Sequence, residues 1–183
     1  GGRLFLAGQE VMFGLDKSAD GRVFARDHLH VSGVEHDVGT AYVTGVTGDP
    51  VTGSAGQVDL VFPEDFDDWT DSLTVAPEAA AIFLNDQDKP CALRYTGDDH
   101  RLVFMAVAFE AFPLELTPEA YRAAGVGALN GVLPFDAGAL LGSVIEWIEE
   151  PLVTVTSPIA DQICTEPTII AWETADYTGA ELS

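Results

Sequence analysis

The chain has 183 residues, 47% of them hydrophobic, with 30 acidic side chains against 8 basic ones and a formal net charge of −22. That length and apolar content can bury the core of one domain of ordinary size and a small appendage. The charge repels nucleic acid and anionic membrane, which excludes polyanions as partners; it fits a secreted protein, or one in a salty medium where screening shortens the range of self-repulsion.

No apolar run approaches the roughly 18 to 20 residues that span a bilayer, and the opening lacks the basic-then-apolar layout of a signal peptide, so a signal is expected upstream of Gly1. The opening Gly1-Gly2-Arg3-Leu4-Phe5-Leu6-Ala7-Gly8-Gln9 predicts a strand over 3–7 that reads as the interior of a sheet. The chain is therefore expected to start inside a domain, with polypeptide outside it supplying at least one neighbour of that strand. Phe24, Leu29, Val31 and Val34 have the spacing of a short helix over about 24–34. Alternation predicts strands over 40–47 and 57–62, divided by Gly48-Asp49-Pro50 and Gly53-Ser54-Ala55-Gly56, and a further strand over 79–84. Residues 91–95 and 102–109 read as a hairpin around Thr96-Gly97-Asp98-Asp99, its second arm apolar enough to be buried on both faces.

Thr117-Pro118-Glu119 is a helix start, with the hydroxyl as cap and proline at the first helical position. A second helix is expected from Asp136, with Leu140, Leu141, Val144, Ile145 and Ile148 on one face and Pro151 as its stop. Everything to residue 150 is read as one α/β domain. Residues 152–158 and 168–173 alternate as strands, and 151–183 are read as the beginning of a β-sandwich domain, since two strands make no stable sandwich alone.

The opening segment to Gln9, Asp27-His28-Leu29-His30, Val43-Thr44-Gly45-Val46, the run from Arg101 to Ala111 and the helix Val144-Ile145-Glu146-Trp147-Ile148 resemble the class I glutamine amidotransferase-like domain of large secreted bacterial and archaeal peptidases and surface proteins. The likeness covers about residues 1–150. It implies part of a flavodoxin-like three-layer α/β sandwich with a β-rich insertion. Val153 to Pro158 and Ile170 to Trp172 resemble the first strands of an Ig-like or fibronectin-like module.

By that resemblance a working site needs a cysteine on the turn after the opening strand, activated by a histidine that a glutamate orients. The equivalent turn holds Gly8 and Gln9, and the histidine position is Ala108, leaving only Glu110. The four residues Gly8, Gln9, Ala108 and Glu110 are thus expected to mark a vestigial site without glutaminase activity, with Glu110 either anchoring a hydrogen-bond network or lying as a satisfied buried carboxylate.

The remaining candidates are weaker. Cys91 and Cys164 stand without C-x-x-C or metal spacing; a disulfide between them fits, and so does the commoner pair of unpaired core thiols. His28, His30 and His36 lack the three- or four-residue spacing of helical zinc ligands and read as surface or packing histidines. Ser18, Ser32, Ser54 and Ser72 lie outside any Gly-x-Ser-x-Gly elbow. Asp16, Ser18, Asp20, the Arg22 carbonyl and Asp27, with Gly21 at the sharp turn, follow the layout of a calcium loop in part; the alternative is an exposed turn entering a helix. The run Glu64 to Asp71 reads as a solvated acidic face, with a lesser role in holding a cation.

Two functions fit this reading. One is a catalytically silent structural or interaction module of a large extracellular or cell-surface protein, whose partners are the rest of its own polypeptide or neighbouring copies. The other is an accessory domain of a secreted peptidase whose active site lies elsewhere in the polypeptide.

Overall fold

The computed structural model describes residues 2–62, 64, 66–98, 100–113 and 135–150, together with the backbone of 153–155 and 172–174. Strand β1 (Arg3–Ala7) leads through Gly8 and Gln9 into a short helix, α1 (Val11–Asp16), which the sequence reading did not anticipate. Ser18 then starts α2 (Ala19–His28): its backbone is extended, and its hydroxyl accepts from the Gly21 N–H at 2.9 Å, satisfying one of the amides a helix start leaves unpaired. His30 takes a left-handed φ of 56°, and β2 (Val31–Glu35) follows. The helix expected over 24–34 is therefore displaced toward the N-terminus. The reason is local: Ser18 caps it early, and the left-handed residue at 30 breaks the helical ladder before Val31 and Val34, which lie on a strand.

The chain continues through β3 (Tyr42–Gly45), β4 (Gln57–Asp59), β5 (Ser72–Val75), β6 (Ala80–Asn85), β7 (Pro90–Thr96) and β8 (Arg101–Met105). A 3₁₀ turn at Phe109–Ala111 follows, and later α3 (Ala137–Glu149), capped by Asp136, whose carboxylate accepts from the Ala139 N–H at 2.8 Å. Six strands form one sheet in the order β1-β8-β7-β6-β3-β4, in which β1 and β8 run parallel and every other neighbouring pair antiparallel. The protein is thus mixed α/β, built on a mostly antiparallel sheet. β2 and β5 pair separately as an antiparallel ribbon. The two strands expected after residue 150 are seen as β9 (Val153–Val155) and β10 (Trp172–Thr174), an antiparallel pair; the helix expected at Thr117 lies outside the described residues.

Both faces of the sheet are covered, and β8 shows how. All five of its residues are buried. Val103 and Met105 pack with Leu140, Val144, Trp147 and Ile148 of α3, while Leu102 and Phe104, pointing the other way, pack with Met12 of α1, Ala25 and Leu29 flanking the end of α2, and Leu73 of β5. On α3 the apolar stripe is wider than the buried face. Leu140 and Val144 are buried, but Leu141 and Ile145 are 38% and 45% exposed, so the single face expected for all five residues is divided. Arg3 Nε donates to the Ile148 carbonyl at 2.7 Å, and the buried Arg101 donates to the Trp147 carbonyl. Two cations thereby meet the carboxyl end of α3, where the helix dipole favours positive charge.

β1 has β8 on one side and, among the described residues, no strand on the other. Leu4 is accordingly 45% exposed. The second flank expected for this strand is not supplied by the described residues. Among those residues no helix is long and apolar enough to cross a membrane.

Candidate functional site

Because β1 and β8 are parallel, their carboxyl ends lie on the same side of the sheet, and the segments leaving them face each other there, the usual place for a cleft at the carboxyl ends of parallel strands. The Gly8 N–H donates to the Met105 carbonyl at 3.0 Å, and a Cβ on Gly8 would stand 3.2 Å from the Val11 side chain, a close contact with the start of α1. Gln9 is buried. Its amide Nε2 donates to the Asp67 carbonyl at 2.9 Å and its Oε1 accepts from the Trp69 N–H at 3.1 Å, tying the turn after β1 to the loop over 66–70.

Gly8, Gln9, Ala108 and Glu110 line one open cleft of about 570 Å³, together with Phe66 and Trp69. Glu10 lines the same cleft and an adjoining hollow of about 320 Å³ that also reaches Phe13, Asp37 and Trp69. The four residues that the resemblance groups as a vestigial site are therefore neighbours in space, although a hundred residues separate the two pairs in sequence. Glu110 is exposed, however, and not a buried carboxylate. The strand ends at Met105, and the 3₁₀ turn at 109–111 carries the side chain out to the rim.

Most described residues of the acidic run beside the cleft are exposed, but two of its carboxylates turn inward. Asp68 accepts from the Thr40 N–H at 2.5 Å and from the Thr70 N–H at 3.0 Å. Asp71 is 1% exposed; its Oδ1 accepts from the Asp37 N–H at 3.1 Å and lies 3.3 Å from His36 Nδ1, while His36 Nε2 lies 3.4 Å from the Asp16 carboxylate. Burial opposes the charged form of His36, but hydrogen bonds and charge from Asp16 and Asp71 outweigh it and lift the imidazole above its ordinary value. Burial raises the Asp71 carboxyl against the Asp37 N–H and His36, which pull it down. Asp71 Oδ2 and Thr70 Oγ1 have no hydrogen-bond partner among the described residues. Sequence reading missed this bridged pair; the signal was Trp69-Thr70 and the alternating Leu73-Thr74-Val75 directly after the acidic run, marks of a chain turning inward.

The histidines go to separate places. His28 packs its ring 5.1 Å from that of Phe24, and His30, buried and stacked on Tyr95 at 3.5 Å, has Nδ1 3.0 Å from Glu78. The residues expected in a calcium loop lie at the end of α1, at the α2 cap and along α2. Arg22 bonds the Asp16 carbonyl, the Ser18 hydroxyl caps Gly21, Asp27 forms a two-bond pair with Arg26, and Asp20 is exposed in the first turn of α2. Gly21 is helical. Among the described residues no group of three or more His, Cys, Asp or Glu side chains is gathered as metal ligands. Cys91 is wholly buried on β7, where desolvation pushes its thiol well above the ordinary range, and its Sγ donates to the Phe83 carbonyl at 3.6 Å; Cys164 lies outside the described residues. Ser32 donates to the Thr74 carbonyl, and Ser72 accepts from Asn85.

No family model, curated protein or solved structure matches the chain.

Proposed function

We propose that this chain is a catalytically silent interaction module, built on the amidotransferase-like plan and carried by a large extracellular protein. One observation supports this most: at the turn where that plan places a nucleophilic cysteine, Gln9 is buried with both polar atoms of its amide bonded to the backbone of the 66–70 loop. A side chain that would attack a substrate is replaced by one that fastens the site's own wall. Ala108 offers no base, and the Cys91 thiol, desolvated inside β7, is held away from the thiolate that nucleophilic attack requires. The parallel β1/β8 pair with helices on both faces is compatible with this reading, the rest of the sheet being antiparallel, and the surplus of carboxylates suits an extracellular setting.

The test is ammonia release from glutamine by the purified chain. None is expected above the background of a heat-inactivated sample; turnover that disappears in Cys91→Ala would overturn the proposal. Calcium at Asp16, Ser18, Asp20, Arg22 and Asp27 is proposed on spacing alone. Binding there would have to open the first turn of α2, and its mark would be a calcium-dependent rise in Tm that Asp20→Ala abolishes.

A further inference from the structure

We infer that the cleft over the carboxyl ends of β1 and β8 receives a cationic side chain, the guanidinium or ammonium of an arginine or lysine on a partner polypeptide, between the ring of Trp69 and the carboxylates of Glu10 and Glu110. The inference rests on the interaction-module reading and names the chemistry of the partner.

Three observations carry it. The cleft has aromatic walls that remain open to water: Phe66 is 39% and Trp69 43% exposed, although aromatic surface of this size is ordinarily buried. The backbone of Trp69 is also held in place, because its main-chain N–H donates to the buried Gln9 amide oxygen, so the residue that carries the indole is anchored at the cleft.

Among the described residues the carboxylates at the cleft are uncompensated. Glu10 and Glu110 form no ion pair among the described residues, and the described cations are committed elsewhere: Arg22 to Asp16, Arg26 to Asp27, Lys89 to Glu35, Arg94 to Asp49 and Arg101 to Glu150. Arg3 bonds the Ile148 carbonyl, and Lys17 sits 3.8 Å over the Phe13 ring. No described cation reaches Glu10 or Glu110, which leaves both carboxylates open to one carried by another molecule. With a net charge of −22 a second copy of this chain is repelled, and a basic segment is steered in.

Size and shape select the class of ligand. About 570 Å³ accommodates a long side chain, and a cleft open to solvent suits a group projecting from a polypeptide better than an enclosed small molecule. A flat cation over an indole, with carboxylates at its edge, gains both ring attraction and charge-assisted hydrogen bonds.

The experiment titrates the chain with the peptide acetyl-Gly-Gly-Arg-Gly-Gly-amide, following by NMR the backbone amide resonances of Gly8 and Glu110, which line the cleft and whose main-chain N–H groups are kept in every variant. The same peptide with neutral citrulline in place of arginine, and free arginine amide, are the comparison ligands. Saturable binding at millimolar peptide is expected, with Glu110→Gln and Trp69→Ala each weakening it at least about threefold, and Glu146→Gln, an exposed carboxylate on α3, leaving it unchanged. The citrulline peptide should bind at least about tenfold more weakly, since it keeps the shape and loses the charge. Thermal melts establish that each variant is folded, and an unfolded Trp69→Ala would be replaced by Trp69→Leu. No saturable shift, equal affinity for the citrulline peptide, or equal losses in Glu110→Gln and Glu146→Gln would overturn the inference. Arginine amide binding as tightly as the peptide would overturn the polypeptide source. Because silence is read from ammonia release and recognition from the resonance shift, failure of one leaves the other standing.

Discussion

Gly21 is needed for space rather than for its backbone angles. A Cβ there would stand 2.1 Å from the Leu15 carbonyl oxygen, a backbone atom that cannot rotate away, so α1 and α2 would have to separate. Alanine raises helix propensity by roughly 1 kcal/mol over glycine, but overpacking against backbone costs about 1 to 3 kcal/mol and should win. Gly21→Ala is therefore expected to lower the midpoint of urea unfolding. His36 makes a prediction of opposite character, read in pH. Its folded pKa is raised by Asp16 and Asp71, so its contribution to stability is fully present below the unfolded value of about 6.5 and is lost as pH rises through the folded value. Wild-type Tm should fall over that window more steeply than the Tm of His36→Gln; parallel curves would place the pH dependence elsewhere.

At the scale of elements, β1 offers the sharpest test. The Gly8 N–H donates to Met105 and the Gly2 carbonyl accepts from Arg101, so even-numbered residues of the strand turn their backbone groups toward β8. Odd-numbered residues turn theirs to the edge that no described strand covers, by the twofold period of a strand. Hydrogen exchange should therefore alternate, with the amides of Phe5 and Ala7 exchanging far faster than those of Leu4 and Leu6. Uniform protection along β1 would mean that a strand already occupies the edge, for instance from a neighbouring copy. Much of the element layout is legible from sequence. The hairpin around Thr96 to Asp99 and the Asp136-capped helix are local patterns, written in turn residues, a cap and an apolar period. α1 is not, because at six residues it is too short to carry a period, and it holds its place by inserting Met12 into the core under β8.

Across the whole molecule, charge is unbalanced, with a formal net charge of −22. Seven of the eight basic residues are in the described part of the chain, and those whose ion pairs are seen neutralise only a small share of 30 acidic side chains. The excess repels itself in the compact state, and added salt shortens the range of that repulsion from about 30 Å at 0.01 M to about 3 Å at 1 M. Tm is expected to rise steadily over that range of sodium chloride. A flat response would mean that the carboxylates are already compensated locally.

The sequence by itself determined the mixed α/β class, a doubly buried strand within 102–109, the cap and stop of the last described helix, and the absence of cysteine and histidine at Gln9 and Ala108. These follow from period, turn chemistry and residue identity, which act over a few neighbours. Only the tertiary structure decided that Gly8 and Gln9 meet Ala108 and Glu110 across one cleft, that Trp69 forms its wall, and that Asp68 and Asp71 turn inward while Glu110 turns out. Those facts depend on the parallel pairing of β1 with β8 and on the Gln9 amide reaching a loop about sixty residues away. Hydrogen bonds and strand pairings between distant segments leave no period in the chain, so they become visible only when the fold brings their ends together.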